Sequence, residues 1–370
     1  MGNLRTSLLV ILVLALAVAA TAQTWVSTQP ETRNAVVEEF GGIYCVYCPH
    51  GHQILQELLD GPLGDHIIPI NYHAGLYAQP IADDPNYTTP IGEALNDVFN
   101  LSGYPAAAIN RQHFPDLAPF ESAIALGRSH WGAAIEEVTA TTAIVNLGGV
   151  ATTNISDRTV TLELEYFYLE DPPAIENRLH IAVVQNNVLG PQHGNSTNHL
   201  YLHQRLFRRF VTGPEGQLVN TPTAGTFGGL TFDIDLPEAY NDVIVDPANI
   251  ELVAFITDGQ GVVLNGLRIS PTLETTLAVD VQLLNLIAED DFCALDINSQ
   301  VILRNDGTDP LTSCDLVFGI DGVTFNQHHW TGELAFLETI AIDLPEVAAS
   351  PDSLRGTLVV TALQPNTQED

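Results

Sequence analysis

The residues of this chain best suited to chemistry are Cys45 and Cys48, which have the two-residue spacing of a redox-active pair. An apolar stretch at 35–40 predicts a strand before them, and apolar residues at helical spacing predict a helix over 49–59. The N-terminus of a helix stabilises a thiolate through unpaired amide hydrogens and the helix dipole. We therefore predict that Cys45 is the nucleophile and that Cys48 resolves the mixed disulfide.

Two further features strengthen the redox interpretation. Glu39 stands six positions before Cys45 on the predicted incoming strand. Tyr104 and Pro105 open a later strand, predicted at 106–110, where a cis Pro105 would face the two thiols. We predict no cofactor for this chemistry.

Two other interpretations of the cysteine pair stay open. The first is a purely structural short-loop disulfide. The second is a metal site in which His50 and His52 join Cys45 and Cys48 as zinc or copper ligands. Helical geometry counts against the second interpretation, because residues two apart point to different faces of a helix.

The chain is strongly acidic. Its 370 residues include 45 Asp or Glu and 12 basic residues, all of them Arg, for a formal net charge of −33. This charge excludes electrostatic binding of nucleic acid or of an anionic membrane. An acidic, lysine-free composition resembles that of proteins from salt-loving microbes, in which strong salt screens the self-repulsion. A merely acidic exported protein is the alternative.

The N-terminus predicts export. An apolar run at 8–20 follows a basic residue and precedes a small-x-small cleavage pattern that ends at Ala22, so residues 1–22 are predicted to be a signal peptide. No later apolar run has the length of a membrane helix, which predicts the absence of an integral span. The predicted location is the periplasm, the outer membrane or the cell exterior. Because these compartments are oxidising, we also predict a structural disulfide between Cys293 and Cys314.

Hydrophobic patterning divides the mature chain into three parts. Strands alternating with helices over 23–138, including a helix at about 119–137, predict an α/β domain. Alternating apolar and polar residues predict a β-rich sandwich domain over 139–276. The same alternation predicts a smaller Ig-like β module over 277–370.

With its dithiol, upstream acid and Gly-Tyr-Pro turn, the first part resembles the thioredoxin-like superfamily. In that fold a buried acid lies six residues before the first cysteine and a cis proline lies opposite the pair, positions that Glu39 and Pro105 match. The resemblance implies that Glu39 relays a proton to or from Cys48, and that the backbone of Tyr104 pairs with a partner chain. The predicted fold class is therefore an α/β thioredoxin-like domain followed by β-sandwich-like modules.

A narrower resemblance covers most of the chain. It is carried by EEFGGIYCVYCP at 38–49, GYP at 103–105 with NR at 110–111, and LFRRFVTGPEG at 206–216. These stretches are similar to the Omp-twenty-eight-related outer membrane proteins of Bacteroidetes. That resemblance implies an envelope location and association with the outer membrane more than it implies an activity.

The predicted function is thiol–disulfide exchange in the cell envelope. Cys45 would attack cysteine-containing exported proteins, Cys48 would resolve the adduct and Glu39 would assist proton transfer. The alternative is a non-enzymatic outer-membrane or surface binding protein on a thioredoxin-like scaffold. The alternative requires a disulfide too stable or too hidden to exchange, so the accessibility of the two sulfur atoms separates the two hypotheses.

Overall fold

The computed structural model describes residues 25–195, 201–220, 222–259, 261–288, 296–320, 323–348, 358–363 and 365–366. The predicted signal peptide at 1–22 and Cys293 lie outside these ranges. The described residues contain the α-helices α1 (Cys48–Leu59), α2 (Pro90–Val98) and α3 (Trp131–Thr139). Within the same ranges, no helix combines the length and the hydropathy that a membrane crossing requires.

Most of the described chain is β-sheet. Up to residue 274 its strands form one large sheet and three smaller ones. These strands are β1 (Ala35–Gly41), β2 (Ile67–His73), β3 (Ala106–Ile109), β4 (Ala125–Gly127), β5 (Val145–Asn154), β6 (Thr159–Tyr168), β7 (Asn177–Gln185), β8 (Val188–Gly190), β9 (Tyr201–His203), β10 (Leu206–Phe210), β11 (Gln217–Val219), β12 (Phe227–Asp235), β13 (Ala239–Tyr240), β14 (Val243–Ile244), β15 (Ile250–Asp258), β16 (Val263–Ile269) and β17 (Thr272–Glu274).

The large sheet has nine strands and joins the first part of the chain to the second. Its order is β16-β15-β7-β10-β2-β1-β3-β4, with β11 also paired to β7. The junction lies between β2 and β10, where the N–H of Asn71 donates to the carbonyl oxygen of Arg205 at 2.9 Å. The predicted fold class, an α/β thioredoxin-like domain followed by β-sandwich-like modules, is wrong, because the described chain is a mostly β protein of several sheets with three α-helices.

The prediction failed because a distant strand pairs with the edge of β2. A separate α/β domain would leave that edge to solvent, where unpaired N–H and C=O groups are costly and prone to aggregation. Here β10 covers the edge, although it lies more than 130 positions along the chain. Periodicity within a short window carries no information about such a distant partner.

A second layer packs on the large sheet. The four-stranded sheet β12-β6-β5-β17 lies face to face with β7 and β15, and the interface is a continuous apolar core. Alternation along β6 places Val160, Leu162 and Leu164 in this core, while Thr161 and Glu163 face outward. Burial of this apolar area is the main stabilising contribution of the layer.

At β1, the large sheet is covered by helices. All seven residues of β1 are buried, and their side chains alternate between the two faces. Val37 packs with Leu55 of α1 and Trp131 of α3. Glu39 lies two residues beyond Val37 on the same face, so strand periodicity directs this acid toward α1.

The remaining strands are β18 (Val281–Ala288), β19 (Asp296–Asn305), β20 (Leu311–Ile320), β21 (Val323–Leu334), β22 (Thr339–Ala348) and β23 (Leu358–Leu363). They form two three-stranded sheets, β18-β19-β22 and β21-β20-β23, which enclose their own apolar core. Arg304 connects them to the rest of the chain through an ion pair with Asp246 at 2.8 Å. Cys314 is buried in that core, and the predicted Cys293–Cys314 disulfide falls partly outside the described residues and stays a prediction. The domain boundaries at 138 and 276 likewise stay predictions.

Candidate functional site

Cys45 and Cys48 form a disulfide at the start of α1. The turn that joins them is closed by the N–H of Cys48, which donates to the carbonyl oxygen of Cys45 at 3.2 Å. Their Cα atoms are 5.4 Å apart, within the usual range for a disulfide. Pro49 occupies the first turn of α1, where its missing N–H costs little.

Both cysteines are buried, although the loop between them is exposed. Cys45 is 3% exposed and Cys48 is 0% exposed. Val46 and Tyr47, by contrast, are more than half exposed. A partner thiolate would therefore contact the exposed loop but would not reach either sulfur atom.

A distant stretch of chain covers the disulfide. The cover segment, residues 191–195, follows β8 and lies across the loop. The fully buried Gln192 donates from Nε2 to the carbonyl oxygens of Gly42 at 3.2 Å and Cys45 at 3.1 Å. The N–H of His193 donates to the carbonyl oxygen of Ile43 at 2.7 Å. These hydrogen bonds fasten the cover segment to the chain around the first cysteine.

The cover segment approaches the loop closely at Gly194. A Cβ atom at this position would lie 2.1 Å from the carbonyl oxygen of Val46, and φ of Gly194 is +79°, in the left-handed region. Glycine is the residue that tolerates both conditions. The contact places the cover segment directly against the loop between the two cysteines.

Glu39 lies on β1, two residues before Gly41. Gly41, on the same face of the strand, is close enough to Cys48 that a Cβ atom there would lie 2.9 Å from Sγ. Glu39 is 1% exposed, and burial raises the pKa of its carboxyl group to about 8, an effect that the charge of Arg205 partly opposes. The carboxyl group is therefore mostly protonated at neutral pH.

Pro105 and Tyr104 lie on the other side of α1. The Tyr104–Pro105 peptide bond is cis. Pro105 packs on Gly51, where a Cβ atom would lie 2.6 Å from its Cγ. The Tyr104 hydroxyl group donates to Asn96 Oδ1 at 2.5 Å, which directs the ring toward α2. Pro105 thus contacts α1 at Gly51, one turn after Cys48, whereas the side chain of Tyr104 points toward α2.

A cavity of about 250 Å³ opens beside Glu39, between α1, β2 and the chain from β9 to β10. We call it the polar cavity. His52, Asn71, Tyr201 and Arg205 line it together with Glu39. Asn71 and Tyr201 were missed by sequence analysis. Asn71 did carry a signal, because it is a polar residue that directly follows the apolar run at 67–70 in a buried strand.

His52 connects the residues of the polar cavity. Its Nδ1 lies 2.5 Å from the Tyr201 hydroxyl group, and its Nε2 lies 3.2 Å from Asn71 Nδ2 and 3.5 Å from Glu39 Oε1. Burial lowers the pKa of His52 to about 3, with smaller effects from His203 and Arg205. The imidazole is therefore neutral at physiological pH.

Buried rings continue from the cavity into the protein. The ring of His203 lies 5.0 Å from Tyr201, 5.1 Å from His73 and 4.9 Å from Tyr87, measured between centroids. Burial lowers the pKa of His203 to about 4 and holds that of His73 well below its ordinary value. Across the described ranges, His, Cys, Asp and Glu residues form no group of three or more that is suited to a metal ion.

The comparisons with known proteins concern family and fold. The model of the family Outer membrane protein Omp28 matches residues 92–272. HBP35 of Porphyromonas gingivalis is similar over 85% of this chain and 99% of its own, with a TM-score of 0.53 and 14% sequence identity. A domain of the outer membrane lipoprotein Omp28 from Porphyromonas gingivalis is similar over 36% of this chain and 91% of its own, with a TM-score of 0.25 and 16% identity. No curated protein matches the chain.

The match to the outer membrane protein family model is that of an exported protein of the periplasm, the outer membrane or the cell exterior. The family match includes the stretches at 103–105 and 206–216 on which the sequence resemblance rests, and it does not include 38–49. The likeness to HBP35 concerns the overall fold. Neither comparison assigns a redox activity to the chain.

Proposed function

We propose that this protein is a non-enzymatic binding protein of the outer membrane or cell surface, in which the Cys45–Cys48 disulfide is structural. The observation that carries the proposal is the burial of both cysteines beneath the cover segment. The match to an outer membrane protein family supports it.

Disulfide exchange requires a thiolate to attack a sulfur atom directly, so the rate depends on access. Here access would require the loss of both Gln192 hydrogen bonds and of the one between His193 and Ile43. It would also move Gly194 away from the carbonyl oxygen of Val46. The folded protein therefore protects its disulfide, as expected of a structural bond.

The test is the rate of reduction in the folded and unfolded protein. Folded protein is incubated with millimolar dithiothreitol, the thiols are alkylated, and the peptide containing Cys45 and Cys48 is analysed by mass spectrometry. We expect little reduction in the folded state and complete reduction in denaturing guanidinium. Rapid reduction of the folded protein, together with turnover of a disulfide substrate, would contradict the proposal.

Thiol–disulfide exchange is the second candidate function. It is favoured by a protonatable acid, Glu39, lying on the same strand face as Gly41, which contacts Cys48. Exchange with cysteine-containing exported proteins would follow displacement of the cover segment. A Cys48→Ser variant would then trap mixed disulfides through Cys45, and the Cys45→Ser variant is the matched control. The absence of adducts with both variants would eliminate this candidate.

A further inference from the structure

The polar cavity contains two buried acceptors that the protein leaves without a hydrogen bond. Among the described residues, Glu39 Oε1 and Asn71 Oδ1 have no hydrogen-bond donor. His52 Nε2 is 3.5 Å from Glu39 Oε1, too long for a good hydrogen bond. Buried polar atoms are nearly always satisfied in folded proteins, so two such acceptors in one cavity indicate a ligand that donates.

The amide of Asn71 lies with its nitrogen toward His52. Its Nδ2 donates to Nε2 of His52, which is neutral, so the imidazole proton is on Nδ1 and is donated to the Tyr201 oxygen. Asn71 Oδ1 is consequently the atom of this amide that stays free for a ligand. The site is preorganised, because the ring and the amide hold each other in place.

A cation completes the cavity wall. Arg205 donates from Nη2 to Gln56 Oε1 at 3.0 Å, and a guanidinium group has further N–H donors. Its charge acts on both Glu39 and His52. The cavity therefore presents acceptors at one position and a positive charge at another.

We propose that the polar cavity binds a small molecule that carries both a protonated amine and a carboxylate, a free α-amino acid with a short side chain. The amine donates to Asn71 Oδ1 and Glu39, and the carboxylate pairs with Arg205. The inference deepens the proposed function, on which it rests, by naming a ligand class for the binding protein.

The same groups disfavour simpler ligands. A lone ammonium ion would satisfy the acceptors but would be repelled by Arg205. A lone carboxylate would pair with Arg205 and leave both acceptors without a donor. The volume of about 250 Å³ restricts the ligand to a small molecule.

Binding should release a proton at neutral pH. The carboxyl group of Glu39, with a pKa of about 8, is mostly protonated before binding, and a bound ammonium group favours its ionised form. The other groups that face it keep their charge near pH 7. His52, with a pKa of about 3, stays neutral, Tyr201, with a pKa of about 12, stays protonated, and Arg205 stays cationic.

The test is titration calorimetry on the full chain with glycine, L-alanine, acetate and methylammonium as probes. Measurements at pH 7 in two buffers of different ionisation enthalpy give the protons released. We expect glycine or L-alanine to bind at least about tenfold more tightly than acetate or methylammonium, which corresponds to one lost hydrogen-bonded contact. Equal affinity for the zwitterion and either single ion would overturn the inference.

Two variants and a control separate binding from folding. Glu39→Gln keeps the size of the side chain and should abolish the proton release while weakening binding. Tyr201→Phe removes the partner of His52 and should also weaken binding. Arg178→Gln, which breaks an exposed ion pair with Glu176, should leave binding unchanged.

Two outcomes of these experiments contradict the inference. Amino-acid binding that is indifferent to both cavity variants would place the ligand elsewhere. Failure of all four probes to bind folded protein would overturn the inference and leave the proposed function standing, because the reduction experiment tests that function separately.

Discussion

The side-chain amide of Gln192 donates a hydrogen bond to the main-chain carbonyl oxygen of Cys45, although the two residues are 147 positions apart. The same amide also binds the carbonyl oxygen of Gly42, and Gln192 is fully buried. The main chain at a local motif is thus held by a segment from a different region of the chain. Any assignment of chemistry to the cysteine pair has to account for this contact.

Substitution of Gln192 by Ala should expose the disulfide. Each hydrogen bond contributes about 1 kcal/mol, so the loss of two bonds should lower the free energy of local opening by about 2 kcal/mol. We expect reduction of the folded protein by dithiothreitol to become roughly 10 to 30 times faster. The measurement is the appearance of alkylated Cys45 and Cys48 with time.

Gln185→Ala is the matched control for this experiment. Gln185 is also a buried glutamine, and its Nε2 donates to the carbonyl oxygen of Ile244, far from the cysteines in sequence. Its loss should reduce global stability without accelerating reduction. Equal acceleration in both variants would mean that the disulfide opens through global unfolding, contrary to the prediction.

Glu39 should make the protein less stable as pH rises. Its pKa is about 8 in the folded state and near 4.5 when unfolded, so between these values the folded state holds the additional proton. This stabilising contribution is fully present below pH 4.5 and is lost as pH rises to 8, by about 1.4 kcal/mol per pH unit. Glu39→Gln should therefore be more stable than the wild type at pH 8, and the two should converge near pH 4.5.

The measurement is urea unfolding of wild type and variant at several pH values. Glu57→Gln on the exposed face of α1 is the control for the replacement of one Glu by Gln at an exposed position. A Glu39→Gln variant whose stability relative to wild type is the same at pH 5 and pH 8 would refute a raised pKa for Glu39.

The local elements around the cysteines were predictable from sequence, because their signals lie within a short window. Apolar residues over 35–40 predicted a strand, and β1 spans Ala35–Gly41. Pro49 and the apolar spacing after it predicted a helix, and α1 spans Cys48–Leu59. The predicted helix at 119–137 was partly wrong. Leu126 lies in β4 and pairs with Ala107 of β3, so α3 begins only at Trp131.

The cover segment and the polar cavity were not predictable in the same way. Each depends on contacts between residues more than a hundred positions apart, such as Tyr201 with His52. Arg205 reaches the cavity only because β10 adds to the edge of β2. A single sequence records which residues are apolar, and it does not record which strand edges meet.

Breaking the buried ion pair of Glu38 and Arg111 should destabilise the fold strongly. Arg111 Nε and Nη2 donate to the two carboxylate oxygens of Glu38 at 2.7 and 2.8 Å, and the Tyr72 hydroxyl group donates to the same carboxylate. Arg111→Met would leave a buried charge without its partner, at a cost of about 3 to 5 kcal/mol. The measurement is the free energy of unfolding in urea.

The double variant Glu38→Gln/Arg111→Met checks this explanation. Removing both charges should recover much of the lost stability, because an unpaired buried charge causes most of the penalty. A double variant as unstable as Arg111→Met alone would show that packing of the arginine, including its contact with the ring of Phe255 at 5.1 Å, dominates instead.

The net charge of −33 should make stability depend on salt. Mutual repulsion among the carboxylates opposes the compact state, and salt screens it with a Debye length that falls from about 30 Å at 0.01 M to about 3 Å at 1 M. We expect the protein to unfold at low ionic strength and to refold in molar salt, as followed by circular dichroism. Sodium chloride and potassium chloride should act alike if screening is the cause, and a melting temperature that does not change with salt would contradict the prediction.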